Sequence, residues 1–146
     1  EKLVLWAHNY HVGTAYAQTM GTWLRGTFGT DMVIFGFVFD QGSFNAVPLP
    51  GGGGPKPHSV PQWPGTGGVE EMFQKTALPR FILDLRNIES TSAKNYFNIA
   101  RTVWTIGAAF NGNTSLDVYR EPLVLPRAYD AIIWFEQTTP SALRGF

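Results

Sequence analysis

The sequence predicts an α/β fold, a mostly parallel sheet with flanking helices. Three observations carry that prediction. Runs such as KLVLWAH (2–8), MVIFGFVF (32–39) and YDAIIWFEQTT (129–139) are apolar on both faces, as strands covered above and below by helices are. Between the first two runs, apolar residues recur at three- and four-residue spacing, the period of a helix face. Strand and helix patterns then alternate along the chain, which is how layered α/β domains are built.

KLVLWAH reads as a buried strand with His8 at its carboxyl end. In AYAQTMGTWLRGTFG (15–29), Ala17, Met20, Leu24 and Phe28 share a helix face, and Gly29 is placed to stop the helix. MVIFGFVF is the next strand, so the first 39 residues predict a β-loop-α-β unit with a right-handed crossover. Residues 47–68 hold seven glycines and six prolines, a density that predicts a long irregular loop. VEEMFQKT (69–76) is a short helix with acidic residues in its first turn, where the dipole favours them. RFILDLR (80–86) is a strand, SAKNYFNIA (92–100) a helix and TVWTIG (102–107) a strand or extended segment. The stretch 108–126 reads as loop with one apolar patch, and YDAIIWFEQTT closes the chain as its last strand. Neither an internal repeat nor an internal domain boundary shows, so residues 1–146 are expected to form one layered domain.

Composition narrows the function. At 146 residues the chain can bury roughly 70% of its unfolded surface, and 44% hydrophobic residues supply a core. Eleven basic and eleven acidic residues cancel, which gives no electrostatic reason to expect nucleic acid or an anionic membrane as partner. With no cysteine, disulfides, thiolate metal sites and cysteine nucleophiles are excluded, and a reducing cytoplasm is compatible. No run approaches the ~20 apolar residues of a membrane span, and no signal-peptide pattern is present. The chain starts at Glu1 rather than Met and enters an apolar run at once, which suggests a processed or truncated piece.

The candidate chemistry centres on AHNYHVG, where His8 and His11 lie three residues apart. A turn at Asn9-Tyr10 would aim both imidazoles into the crevice that forms at strand carboxyl ends, and imidazole suits general acid–base work. Spacing alone favours the plainer account, in which His8 is a hydrogen-bonded buried histidine and His11 caps the following helix. Zinc is not supported: it needs three or four ligands, and His58 in the glycine-rich stretch is expected to be a solvated loop residue. GGGGPK is not a phosphate loop, because Pro55 and Pro57 remove backbone donors around Lys56 and no helix follows. The nucleophile-elbow pattern G-x-S-x-G is absent. Asp84 and Glu136 read as strand-end charges, with Asp84 paired to neighbours such as Arg86. Tyr10 and Trp63 are candidate apolar walls for a ligand, although a loop tryptophan is commonly a packing anchor.

LWAHNYHV (5–12) followed by MGTWLR (20–25) resembles the erythromycin esterase family, whose members carry an H-N-x-H segment and an M-G-x-x-L helix. VIFGFVFDQGSFNA, GGVEEMF, FILDLR, TVWTIGAAF and LPRAYDAIIWFEQTTPS follow in family order, so the resemblance covers nearly the whole chain. The family domain is much longer, and the G-E-x-x-H segment that carries its glutamate and its base histidine has no equivalent here. The resemblance therefore implies the C-terminal portion of a larger layered domain. It also implies hydrolysis of a carboxylic ester, with macrolide lactone opening as the named activity, by water that histidine activates. No cofactor and no metal are implied. His8 and His11 would inherit the role of the family's doublet, positioning or polarising the substrate rather than acting as sole base. The expected partners are a small-molecule ester or lactone and the missing N-terminal half of the domain. A second hypothesis remains: a non-catalytic remnant or small-molecule-binding module that uses 47–68 as its recognition surface.

Overall fold

The computed structural model describes residues 2–143. In chain order its helices are α1 (Asn9–Val12), α2 (Met20–Phe28), α3 (Val69–Gln74), α4 (Thr91–Phe97) and α5 (Leu125–Ala128). Its strands are β1 (Phe35–Pro48), β2 (Lys56–Val60), β3 (Arg80–Asp84), β4 (Arg101–Trp104), β5 (Ala109–Phe110), β6 (Arg120–Leu123) and β7 (Ala131–Thr138). The expected α/β class holds. A five-stranded sheet runs β2-β1-β7-β3 with β5 also on β1, and β4 and β6 form a separate pair.

The sheet is parallel at its centre and antiparallel at its margins. β1 pairs parallel with β5 and antiparallel with β2. Against β7, the amide of Ala131 donates to Ile34 and the hydroxyl of Thr138 donates to the carbonyl of Gln41, a constant offset that makes the two strands parallel. Against β3, Leu85 donates to Asp130 while Glu136 donates to Pro79, a constant sum that makes that pair antiparallel. β7 carries Ala131, Ile132 and Trp134 buried on successive faces, as expected of an interior strand.

The chain divides into two compact units. One gathers the segment through Phe37 with Ile82–Ala100 and Leu123–Ile133; the other gathers Val38–Phe81, Arg101–Pro122 and the segment from Trp134 onward. The first unit buries Ile34, Leu85, Phe97, Leu125 and Ile132. Asp130 ties its elements together: it accepts from the amide of Ile34 at 2.7 Å and pairs with Arg25 of α2, whose guanidinium also reaches the carbonyls of Gly29 and Met32. The second unit has a core of Ala46, Val60, Trp104 and Phe110, with Phe44, Trp63 and Tyr119 packed around it.

Four expectations need correction. Residues 2–7 form no strand, and Leu3, Val4 and Trp6 are 88%, 89% and 79% exposed. A strand requires a neighbour to take its N–H and C=O groups, and the described sheet offers none to this segment. The β-loop-α-β unit at the start therefore does not form, and His8 does not end a strand. Second, the helix predicted over 15–29 begins only at Met20, where Thr19 caps it by accepting from the amide of Thr22; its predicted stop at Gly29 is where it ends, with φ +52°. Third, 47–68 is not loop throughout. β1 runs on to Pro48, glycines with positive φ at Gly51–Gly53 carry the turn, and β2 returns along β1. Pro57 is tolerated because β2 is an edge strand, where its missing N–H costs no ladder bond. Fourth, 108–126 holds β5, β6 and a 3-10 turn at Leu116–Tyr119, pieces too short for periodicity to reveal.

Candidate functional site

His8, Tyr10 and His11 come together on one turn. The chain closes into the single-turn helix α1 immediately after His8, which serves as its N-cap: Nδ1 of His8 accepts from the backbone amide of Tyr10 at 3.2 Å. The backbone amide of His11 donates to the carbonyl of His8 at 2.8 Å. The two imidazole centroids lie 6.3 Å apart, nearly edge-on at 73°, and the ring of Tyr10 stands 5.6 Å from His11 and 4.6 Å from Tyr16. All three candidate side chains are exposed, so small molecules in solution can reach them. The plainer account from sequence is partly right, since His8 is hydrogen-bonded and a histidine does cap a helix here, but His8 is exposed rather than buried, and the cap is His8 rather than His11.

This turn is too short to hold itself, because one helical turn fixes several dihedrals for a single bond. Packing within the first unit holds it. Asn9 bonds twice to the backbone of Phe37, and Thr14 donates to Arg127 at 2.6 Å. Gly13 lies against the ring of Tyr129, where an added Cβ would stand 3.0 Å from a ring carbon. α2 closes onto α1 through Gly21: a Cβ there would fall on the carbonyl of Val12 and 2.8 Å from the carbonyl oxygen of Gly13. Thr19 adds a bond from its hydroxyl to that Gly13 carbonyl at 2.8 Å. Sequence reasoning gave Asn9 only a place in a turn and passed over Thr19 and Gly21. The one visible signal was that HNYH and TMG lie close enough along the chain for a helix and a turn to meet.

The hydrogen bond to Nδ1 decides the chemistry His8 can offer. A neutral imidazole has one donor nitrogen and one acceptor. With Nδ1 accepting from Tyr10, the proton of neutral His8 resides on Nε2. In that state the ring is a donor through Nε2, suited to polarising a carbonyl oxygen.

Trp63 belongs to the second unit, where it stands edge-on to Trp104 at 5.6 Å and carries the guanidinium of Arg120 over its ring at 4.8 Å. Arg120 lies equally close over Trp104 and pairs with Glu70 at 2.8 Å, both side chains being almost wholly buried. Glu70 also accepts from the amide of Trp104, yet burial still lifts its pKa above the usual carboxylate range. Asp40 is fully buried beneath Trp104, whose indole donates to the Asp40 carbonyl. Among the described residues, neither carboxylate oxygen of Asp40 has a hydrogen-bond partner of normal geometry, and burial raises its pKa, with Gln74 and Arg120 offsetting that only in part.

His58 is not a solvated loop residue. It sits in β2, half-buried, with Nε2 at 3.1 Å from the carbonyl of Ala46 and its ring against Phe44 and Phe110. Asp84 ends β3 and is gripped by Arg86 and Asn87, which hold its carboxyl well below the usual range. Glu136 lies inside β7, two residues before its end, and is exposed. Among the described residues, no group of three or more histidine and carboxylate side chains is gathered so as to hold a metal ion. No helix among them is long and apolar enough to cross a membrane.

Among curated proteins, none matches the chain. Two solved structures share its fold. A Bacillus cereus protein superposes with a TM-score of 0.82 at 18% identity, covering 96% of this chain and 34% of its own. A succinoglycan biosynthesis protein superposes with a TM-score of 0.78 at 20% identity, covering 95% of this chain and 34% of its own. The chain thus spans about a third of the length of either. The family model for erythromycin esterase matches residues 1–138, so the chain belongs to the erythromycin esterase family.

Proposed function

We propose that this chain is part of a carboxylic ester hydrolase that opens a lactone ring by histidine-assisted attack of water, with a macrolide as the substrate class. The observation that carries the reading is the exposed doublet of His8 and His11, 6.3 Å apart on one buttressed turn in a chain of this family. His8 donates from Nε2 to the ester carbonyl, and His11 orients the attacking water. Tyr10 offers an aromatic face to the substrate. The base that takes the proton from water comes from the rest of the domain, since the chain spans only about a third of the solved structures that share its fold. That remainder is also the protein partner we assign to the exposed apolar segment of Leu3, Val4 and Trp6. The proposal requires no cofactor and includes a cytoplasmic location, with which a chain lacking cysteine is compatible.

The test is hydrolysis of erythromycin and of a simple aryl ester by the complete reading frame and by residues 1–146 alone, followed by mass spectrometry. The complete protein is expected to add water to the lactone, and the isolated chain to be inactive. The limited span of the chain favours one other reading, a small-molecule-binding module without turnover. Saturable binding of a macrolide with no hydrolysis in the complete protein would select it.

A further inference from the structure

We propose that residues 3–6 become an interior strand of the complete domain, paired and covered by the remainder of the same polypeptide, so that the histidine turn stands at the seam between the two parts. This rests on the assignment of that remainder as partner and not on the ester chemistry. In an extended segment alternate side chains point to opposite faces, so Leu3 and Leu5 share one face and Val4 and Trp6 the other. All four are exposed, Leu5 the least at 46%. Both faces are therefore apolar, the pattern of a strand covered above and below rather than of one with a wet face. Single apolar side chains are scattered over any surface, but a contiguous run of large ones marks a contact surface.

The backbone points the same way. Among the described residues, no backbone hydrogen bond involves residues 2–7; the bonding starts at His8, whose carbonyl accepts from the amides of His11 and Val12. Trp6 leans on the ring of Phe37 at 5.1 Å, and Asn9 bonds to both backbone groups of Phe37. The carboxyl end of the segment is thus held beside β1, while its N–H and C=O groups face water and are ready to pair with a strand. Length and position select the occupant. The chain covers 34% of each solved structure that shares its fold, so most of such a domain lies outside it. A second copy of the segment would supply one edge and leave both apolar faces in water, whereas the remainder of a layered domain supplies edges and cover together. His8 directly follows the segment. A strand here puts the doublet at a strand's carboxyl end, where ligands bind in open α/β sheets, and against the part of the domain that brings the base.

Two measurements on the complete protein test this, and neither reads activity. Hydrogen exchange resolved to single residues by mass spectrometry is expected to show the amides of residues 3–6 protected ~10²-fold or more over unstructured peptide, as amides of a packed strand are. Photo-leucine incorporated in place of leucine, activated in an equal mixture of 14N- and 15N-labelled protein, is expected to join the peptide holding Leu3 and Leu5 to a peptide of the same molecule outside residues 1–146. Exchange at the rate of unstructured peptide, in a protein whose Ile132 and Trp134 amides are protected, overturns the proposal without any variant having to fold. Crosslinks between 14N and 15N chains assign the segment to a second copy and overturn it too, as does a set of crosslinks confined to residues 1–146. Absence of ester hydrolysis in a protein that meets both expectations overturns the hydrolase reading alone.

Discussion

Gly21 is the position where one methyl group should do most damage to the candidate site. A Cβ built there falls on the carbonyl of Val12 and 2.8 Å from the carbonyl oxygen of Gly13, where real Cβ atoms essentially never approach within 3.0 Å. Both obstacles are backbone atoms of the turn that carries His8 and His11, so relief requires α1 and α2 to separate. Overpacking of this kind costs roughly 1–3 kcal/mol, and the upper end applies when no flexible side chain can yield. Replacing glycine by alanine in a helix returns at most ~0.5–1 kcal/mol. The net expectation for Gly21→Ala is a loss of about 2 kcal/mol, or a fall in Tm of roughly 4–8 °C for a chain of this size. Gly26 supplies the control in the same helix: it is exposed, and nothing stands within 4 Å of its added Cβ. Gly26→Ala should therefore raise Tm by ~1–4 °C. Urea and thermal unfolding of the two variants, followed by circular dichroism, make the comparison. If Gly21→Ala is as stable as Gly26→Ala, α2 does not clamp the histidine turn and the account of the site's support fails.

Three further outcomes are expected. In the complete protein, His8→Ala should lower kcat by ~10²–10⁴-fold with only the small fall in Tm that loss of an exposed N-cap brings, His11→Ala less, and His58→Ala should leave kcat intact while lowering Tm, because its ring packs on Phe44 and Phe110; steady-state kinetics paired with melts decide this. Glu70→Ala should cost ~3–5 kcal/mol in urea unfolding by leaving the Arg120 guanidinium buried and unpaired, whereas changing both residues to apolar ones of similar volume should cost far less. Asp40→Asn should raise Tm at neutral pH. Because burial raises the folded-state pKa of Asp40, the stability its neutral form brings is complete below the unfolded value of ~3.9 and is lost as pH rises through the folded one. The gain from asparagine should therefore disappear on acidification to about pH 3.5, and a gain that persists there would contradict the direction of the shift.

The elements whose signals are local could be read before the chain was folded. β7 was legible because a central strand must be apolar on both faces, and AIIW is. α2 ended at Gly29 because the left-handed conformation found there suits glycine. The order of short motifs identified the family, and HNYH pointed to the doublet. The rest emerged on folding, because those features depend on partners distant in the chain. Whether LVLW is a strand depends on a neighbour to bond with, and the apolar pattern is the same with or without one. β2 pairs with β1 through a register that glycine and proline counts concealed. Asn9 finds Phe37 28 residues away, and Glu70 finds Arg120 after 50. Neither spacing has a period, so neither could be read before the chain was folded.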